Sequence, residues 1–231
     1  MIGLWPVFLL LAIVLIPLVP VYIWFHKMKF GSLRFYLSVA AGVISVLIAG
    51  LAQGFMPLHL SGTSPLTGLL FGVFIRVSLI EELSRAFVLF LLFYFFPYSR
   101  IMFREKPGSK LLSGSVSFFG APSGLAAGLG FAAGESIFYG IADPGIALMR
   151  FSAAALHGAC GIRVGTALGY LAKSRFYSVF IFLTAVLIHG IFNFCILNPG
   201  IPEFLPAFIA FAALASSLIS VYFENRNAYL Y

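Results

Sequence analysis

The sequence predicts an all-α membrane protein, a polytopic bundle of about seven transmembrane helices with its N-terminus outside and its C-terminus in the cytoplasm. Of the 231 residues, 61% are hydrophobic and only 9% are charged, and the mean hydropathy is +1.07. A soluble domain carries about 25% charged residues, so this chain has too few charges to keep its apolar surface in water. The lipid bilayer is therefore the predicted solvent.

Seven apolar segments are long enough to cross the hydrocarbon core, which takes roughly 20 helical residues. The first follows Met1 directly, with neither a basic stretch before it nor a small-residue cleavage site after it, and is predicted to be a retained helix rather than a signal peptide. The third is overlong, which predicts tilt or an extension into water. We predict one integral membrane domain over residues 1–231, with helices near 4–25, 35–57, 66–97, 121–142, 146–172, 176–197 and 202–222.

Lysine and arginine mark alternate loops, and this pattern predicts the orientation. Cytoplasmic loops carry the excess of these residues, which here are Lys27, Lys29, Arg34, Arg100, Arg104, Lys106, Lys110, Lys173, Arg175 and Arg226. The opposite loops, around 58–65, 143–145 and 198–201, contain none, and Arg150 just inside helix five is the exception. The long loop 98–120 is predicted to lie on the inner membrane surface. Because the basic residues are dispersed, the formal charge of +7 does not indicate a nucleic-acid partner.

Helices four and five carry rows of glycine. The residues recur every fourth position, as Gly120, Gly124 and Gly128 and then Gly161, Gly165 and Gly169. Small residues at this spacing let transmembrane helices approach closely. The two rows therefore predict close packing of these helices.

The two cysteines, Cys160 and Cys195, both lie inside apolar segments. This placement does not fit a secreted disulfide framework, and we interpret both as small buried hydrophobic residues. Cys160 lies three residues after His157 on the same helix, so a ligand role for it stays open.

Helix three carries ionisable residues near its midpoint, where each costs a few kcal/mol or more and needs an explanation. They are Glu81, Glu82 and Arg85. Glu81 and Arg85 are four residues apart, in the favourable order for a salt bridge. Glu82 points about 100° away and is predicted to lack a partner on its own helix. A purely structural ion pair would not need this second glutamate.

The next three helices also carry polar groups near mid-depth, and these are predicted to converge with the glutamates in one site. They are Glu135 on helix four, flanked on its face by Phe131 and Tyr139, His157 on helix five, and His189 with Asn193 on helix six. Glu135, His189 and Asn193 are predicted to lie roughly 5–15 Å below the outer boundary. Arg76 and Arg163 are interpreted as satisfied or snorkelling charges.

Carboxylates, imidazoles and an amide together indicate hydrolysis. A buried glutamate can act as general base toward water, while Asn193 and a histidine could donate hydrogen bonds to an oxyanion. Alternatively, Glu135, His157 and His189 could ligate a divalent metal such as Zn²⁺ that activates the water. The spacing decides neither between these chemistries nor between Glu81 and Glu82 as the base. Serine-type and aspartyl-type sites are disfavoured.

These motifs resemble the PrsW family of membrane proteases. The resemblance covers roughly residues 70–197, with the double glutamate and Arg85, the run from Phe131 to Glu135 with Tyr139, His157 to Gly161, and His189 to Asn193. The chain carries Arg85 where the commoner pattern has Lys, and Ser136 where it has Asn. Type II CAAX prenyl endopeptidases share the double glutamate and the last motif but have His where this chain has Glu135.

The resemblance implies a membrane-embedded endopeptidase that cuts a membrane-anchored protein, such as an anti-sigma factor, on its extracytoplasmic side. Its catalytic residues would be Glu81, Glu82, Arg85, Glu135, His157, His189 and Asn193, with Phe131 and Tyr139 contacting substrate. The expected location is a bacterial or archaeal cell membrane. Three alternatives stay open. They are a CAAX-type prenyl endopeptidase, a proton- or ion-coupled transporter, because Glu and His chains in membranes also relay protons, and a non-catalytic scaffold that retains a dead site.

Overall fold

The computed structural model of the chain describes residues 12–13, 15–27, 31–57, 62, 64–95, 112–142, 149–171 and 173–229. Within these ranges, the side chains of residues 112–119, 139–142 and 224–229 are outside the description. The described residues form seven helices and no strand, which confirms the predicted all-α bundle. The start of the predicted first helix, residues 4–11, and the loop residues 98–111 lie outside the described residues.

The seven helices follow the predicted order, and most begin and end within a few residues of the predicted bounds. Helix α3 is continuous but consists of three segments, Pro65–Leu70, Phe71–Leu79 and Ile80–Phe95. The other helices are α1 Leu18–Lys27, α2 Ser32–Gly54, α4 Leu112–Ala142, α5 Arg150–Tyr170, α6 Arg175–Leu197 and α7 Phe204–Tyr229.

The outer surface of the bundle is apolar, as a lipid-facing surface must be. Among the described helices, three are long and apolar enough by length and composition to cross a membrane: Ser32–Gly54, Arg175–Leu197 and Phe204–Phe223. Large hydrophobic side chains on these helices are exposed, for example Leu47, Phe180 and Phe208. In water such a surface would be a large aggregation-prone patch. The protein is therefore an integral membrane protein.

Helix α3 begins at a clear sequence signal and then changes its winding. The Ser64 hydroxyl accepts a 3.2 Å hydrogen bond from the amide of Thr67, and Pro65 occupies the first turn, as expected for a helix start. The middle segment, Phe71–Leu79, is π-helical. Such wider turns are rare and occur frequently at functional sites. Here the π segment ends directly before Glu81 and Glu82.

Helix α4 begins earlier than predicted. The predicted start at residue 121 was wrong, because the helix begins at Leu112 and passes through Pro122. The last nine residues of the predicted loop, 112–120, are therefore helical. In the helices of soluble proteins, proline occurs most often in the first turn. In a membrane bundle, neighbouring helices can satisfy the backbone group that an interior proline frees.

Glycines bring α4 against its neighbours at backbone distance. A methyl group on Gly124 would lie 2.0 Å from the carbonyl oxygen of Gly161, and one on Gly128 would lie 2.0 Å from the carbonyl oxygen of His157. These contacts confirm the predicted close packing of α4 and α5. On the opposite side, a methyl group on Gly42 of α2 would lie 2.0 Å from the carbonyl oxygen of Ala127. No side chain larger than hydrogen fits at these points.

Arg163 is satisfied inside the bundle, as predicted. Its guanidinium on α5 donates to the hydroxyls of Ser216 and Ser217 on α7, the bond to Ser216 being 3.0 Å long, and to the carbonyl oxygens of Ala159 and Ala213. This cation therefore joins α5 to α7. Arg76 on α3 donates one 3.3 Å hydrogen bond to the carbonyl oxygen of Gln53 on α2.

Candidate active site

The polar groups of α3, α4, α5 and α6 converge, as their positions along the chain predict. Glu82 and Arg85 are fully buried, and Glu81, His157 and His189 are exposed by 7% or less. The imidazole rings of His157 and His189 meet edge to face, with their centroids 5.1 Å apart. Five ionisable side chains thus share one small volume in the interior of the bundle.

Glu82 uses both of its carboxylate oxygens inside the protein. Arg85 Nη1 donates to Glu82 Oε2, and His189 Nδ1 lies 2.8 Å from Glu82 Oε1. Because a carboxylate bound to a guanidinium can only accept, a His189 hydrogen is assigned to Nδ1, and in the neutral ring this leaves the lone pair on Nε2. The predicted pairing of Arg85 with Glu81 was wrong. Arg85 instead pairs with the residue three positions before it, since its guanidinium turns toward Glu82 and the His157 ring on α5.

A chain of polar contacts runs from Arg85 to the edge of the site. Arg85 Nη2 donates a 3.1 Å hydrogen bond to His157 Nδ1, since arginine can only donate. His157 Nε2 therefore carries the hydrogen and donates a 2.9 Å hydrogen bond to Glu135 Oε2. The same Glu135 oxygen lies 3.2 Å from Arg150 Nη1. Glu135 and Arg150 have side chains 17% and 15% exposed, so the site opens at this end.

Phe131, predicted to contact substrate, lies beneath these groups. Its ring is 1% exposed, with the Arg85 guanidinium 4.5 Å above the ring centroid and the His157 ring centroid 4.9 Å away. A cation over an aromatic face is attracted to it, so Phe131 supports Arg85 and His157. Its role toward substrate stays a prediction.

The network does not include Asn193, and it leaves the predicted role of Tyr139 untested. The backbone of Tyr139 belongs to α4, but its side chain is outside the described residues. Asn193 is partly buried and follows His189 by one turn of α6. Among the described residues, its side-chain amide has no hydrogen bond.

Glu81 differs from Glu82 in having one oxygen without a partner. Gln53 Nε2 on α2 donates a 3.2 Å hydrogen bond to Glu81 Oε1. The other oxygen, Oε2, is buried and has no hydrogen-bond partner in the part of the chain that the structure describes. It lies 3.6 Å from His189 Nε2, within ion-pair distance of a protonated ring. In the neutral tautomer of His189, two electron-pair donors face each other across this gap.

The donor atoms around this gap fit a divalent metal. One ligand atom each from Glu81, His157 and His189 lie within 4.8 Å of one another. Ligand atoms about 2.0–2.1 Å from a tetrahedral ion are about 3.3 Å apart, close to the Glu81–His189 separation. A metal-binding histidine usually donates its other ring N–H to a carboxylate or a carbonyl oxygen, and His189 Nδ1 makes this contact with Glu82. His157 would have to exchange one of its two hydrogen bonds to join them.

The predicted ligand set and the observed cluster differ in one member. The cluster contains Glu81, whereas Glu135, which was predicted from the sequence, bonds to His157 at the open end of the site. A second cluster joins Glu82, Cys160 and His189. Its Glu82 oxygens already hold Arg85 and His189, and the Cys160 thiol lies 3.5 Å from the carbonyl oxygen of Ala185. The first cluster is therefore the better candidate.

Sequence reasoning missed two residues of the site. Gln53 was not singled out, although a glutamine inside an apolar span is a signal of the same kind as the glutamates. Arg150 was noted only as an exception to the charge pattern. Its ion pair with Glu135 explains why a cation occurs at the predicted outer end of α5.

The chain matches the model of a known family over most of its length. A family model described as "PrsW family intramembrane metalloprotease" matches residues 32–219. The match extends over all of α2 to α6 and most of α7, and so includes every polar residue of the site. No curated protein and no solved structure matches the chain significantly.

Proposed function

The chain belongs to the PrsW family of intramembrane metalloproteases, and from this membership we propose that it cleaves a membrane-anchored protein with water activated at Glu81. That it is a membrane-embedded protease follows from the family. The choice of Glu81 is our own and rests on one observation. Its Oε2 atom is buried, has no hydrogen-bond partner among the described residues and faces His189 Nε2 at 3.6 Å.

Glu81 would act as the base. A water held between Glu81 Oε2 and His189 Nε2 loses a proton to the carboxylate, and its oxygen forms a bond to the carbon of the scissile peptide. The C–N bond then breaks, and the proton passes from Glu81 to the leaving nitrogen. Glu82 is unsuited to this role because Arg85 and His189 already occupy both of its oxygens.

The remaining residues would orient the catalytic groups and stabilise the oxyanion. Glu82 holds the His189 ring through Nδ1, and Arg85 holds both Glu82 and His157. Asn193, one turn from His189 on α6, is the group we assign to donate a hydrogen bond to the developing oxyanion. Glu135 and Arg150, at the open end, would meet the substrate first.

The family description and the donor atoms also support a metal-dependent form of this reaction. Glu81, His157 and His189 are the residues that would hold the ion. In that form Glu81 would be a ligand, and a divalent ion would supply Lewis-acid activation of the water or the peptide carbonyl in place of proton abstraction by Glu81.

We further propose an anti-sigma-factor-like substrate that is cut on the outer side of a bacterial or archaeal cell membrane. The partly exposed edge of the site is formed by the C-terminal part of α4 and the start of α5. The positive-inside rule predicts that this end faces outward. Helical backbone amides are already hydrogen-bonded, so the substrate must present an extended stretch.

The test is cleavage of a single-pass reporter in cells that express the wild type, Glu81→Gln or Glu82→Gln at matched membrane levels. Glu203→Gln is the control, because Glu203 is exposed before α7 and makes no hydrogen bond or ion pair with a described residue of the site. We expect Glu81→Gln to abolish cleavage and Glu203→Gln to leave it unchanged. Full activity of Glu81→Gln would refute the assignment of the base.

A chelator and a prenylated peptide extend this test. Loss of cleavage with a chelator, restored by Zn²⁺, would support the metal-dependent form, whereas unchanged cleavage would indicate a glutamate acting alone. Cleavage of only a prenylated peptide would replace our substrate proposal with the CAAX type.

A further inference from the structure

Gln53 lies in the last turn of α2, a helix that supplies none of the residues predicted to act in catalysis. Its amide nitrogen is nevertheless 3.2 Å from Glu81 Oε1, across the boundary between α2 and α3. We propose that Gln53 is a positioning residue that turns the Glu81 carboxylate so that Oε2 faces His189. This inference rests on the proposed role of Glu81.

The geometry of a carboxylate explains why one hydrogen bond suffices. The two oxygens of Glu81 are rigidly linked, so a donor that fixes Oε1 also sets the direction of Oε2. With Oε1 bound to Gln53, Oε2 lies buried and 3.6 Å from His189 Nε2. A freely rotating carboxylate would distribute its oxygens between these positions.

The Gln53 backbone is itself tied to α3. Arg76 Nη2 donates a 3.3 Å hydrogen bond to the Gln53 carbonyl oxygen. Arg76 lies in the π-helical segment, five residues before Glu81. Gln53 therefore contacts α3 through its side chain and its main chain, on two successive turns. This double contact holds the amide in place even though Gln53 is only partly buried, near the end of its helix.

The chemistry of the donor suits a base. An amide fixes the orientation of a carboxylate while contributing no positive charge, whereas a lysine or arginine there would form an ion pair and compete for the same electrons. The other glutamate of the pair shows the contrast, because Glu82 is held by Arg85. Glu81 is thus positioned and left reactive, while Glu82 is positioned and neutralised.

Two variants test this role in the full chain. Gln53→Met removes the donor at similar volume, and Gln53→Asn keeps an amide but is one methylene shorter. Ser45→Ala is the matched control, since Ser45 lies on the same helix and its 2.6 Å hydrogen bond goes to the Ala41 carbonyl oxygen within that helix, not to a residue of the site. Thermal unfolding of each detergent-solubilised variant reports on the fold.

The measurements are kcat and KM for reporter cleavage and the Zn²⁺ affinity of the purified protein. Loss of a hydrogen bond that orients a metal ligand typically lowers metal affinity by about 10–100-fold. We expect both Gln53 variants to lose about 10-fold or more in Zn²⁺ affinity and in kcat, with KM unchanged because the substrate contacts remain. Ser45→Ala should keep both wild-type values.

The outcomes separate this inference from the proposed function. A cleaving wild type whose Gln53→Met variant keeps its kcat and Zn²⁺ affinity would overturn the role of Gln53 and leave the protease assignment intact. A wild type that cleaves no reporter would count against the proposed reaction. The role of Gln53 would then be tested by the Zn²⁺ titration alone. Identical titrations of the wild type and the Gln53→Met variant would overturn the inference.

Discussion

Arg85 Nη2 donates a 3.1 Å hydrogen bond to His157 Nδ1, across the interface between α3 and α5. The same guanidinium binds Glu82 and lies over the ring of Phe131. Because arginine cannot accept, this bond places the His157 hydrogen on Nε2, where it points at Glu135. One side chain thus determines the hydrogen-bonding state of two others.

Two replacements of Arg85 should distinguish the effect of its charge from the effect of its hydrogen-bonding geometry. Arg85→Met leaves Glu82 buried without its cation, and breaking a buried pair in this way costs about 3–5 kcal/mol. We expect a large drop in thermal stability and no cleavage. Arg85→Lys keeps the charge but loses the planar fork whose two separate nitrogens bind Glu82 and His157, so it should fold and retain reduced activity. Equal activity of the lysine variant and the wild type would show that the bond to His157 is dispensable.

Glu135 should contribute more to activity than Arg150 does. Glu135 orients the buried His157, whereas its 3.2 Å ion pair with Arg150 is partly exposed. A pair of this kind is worth about 0.2–1 kcal/mol. We expect Arg150→Gln to lower kcat/KM only a few-fold and Glu135→Gln to lower it by about 10–100-fold, the range for loss of a group that orients a metal-ligating histidine. Steady-state kinetics on matched preparations would check this, and a reversed order would contradict it.

Gly128 should tolerate no side chain. A methyl group there would lie 2.0 Å from the His157 carbonyl oxygen, so Gly128→Ala must push α5 away from α4. Overpacking costs about 1–3 kcal/mol, and displacement of His157 should also lower activity. Gly50→Ala is the control, because nothing lies within 4 Å of its added methyl group. That substitution in α2 should be neutral or stabilise the protein by about 0.5–1 kcal/mol.

Gly190 should be coupled to Phe74. A methyl group on Gly190, the residue after His189, would lie 2.2 Å from the Phe74 ring in the π-helical segment. We expect Gly190→Ala to lower stability and activity. Phe74→Ala in the same chain should restore part of both, because it removes the clashing ring. Simple addition of the two single-variant effects in a double-mutant cycle would disprove the coupling.

Much of the fold follows from properties that the sequence displays locally. An apolar segment of about 20 residues crosses a bilayer wherever it occurs, so the helices were predictable one by one. The glycine rows of α4 and α5 predicted their own contact, since small residues have few other uses at that spacing. The start of α4 was misjudged because the residues before position 121 are rich in glycine and serine, which are typical of a loop, whereas in the structure they continue the helix.

The sequence by itself therefore determined that Glu81, Glu82, Glu135, His157 and His189 meet, because an ionisable group in a membrane needs a polar partner. Only the tertiary structure decided how they pair. Arg85 can reach either glutamate from its own helix, and the choice of Glu82 depends on His157 and His189 from other helices. Likewise, Gln53 is 28 positions from Glu81 in the chain, and no local pattern links them. Pairings between helices depend on distances of a few ångströms, which the fold sets and the order of residues does not.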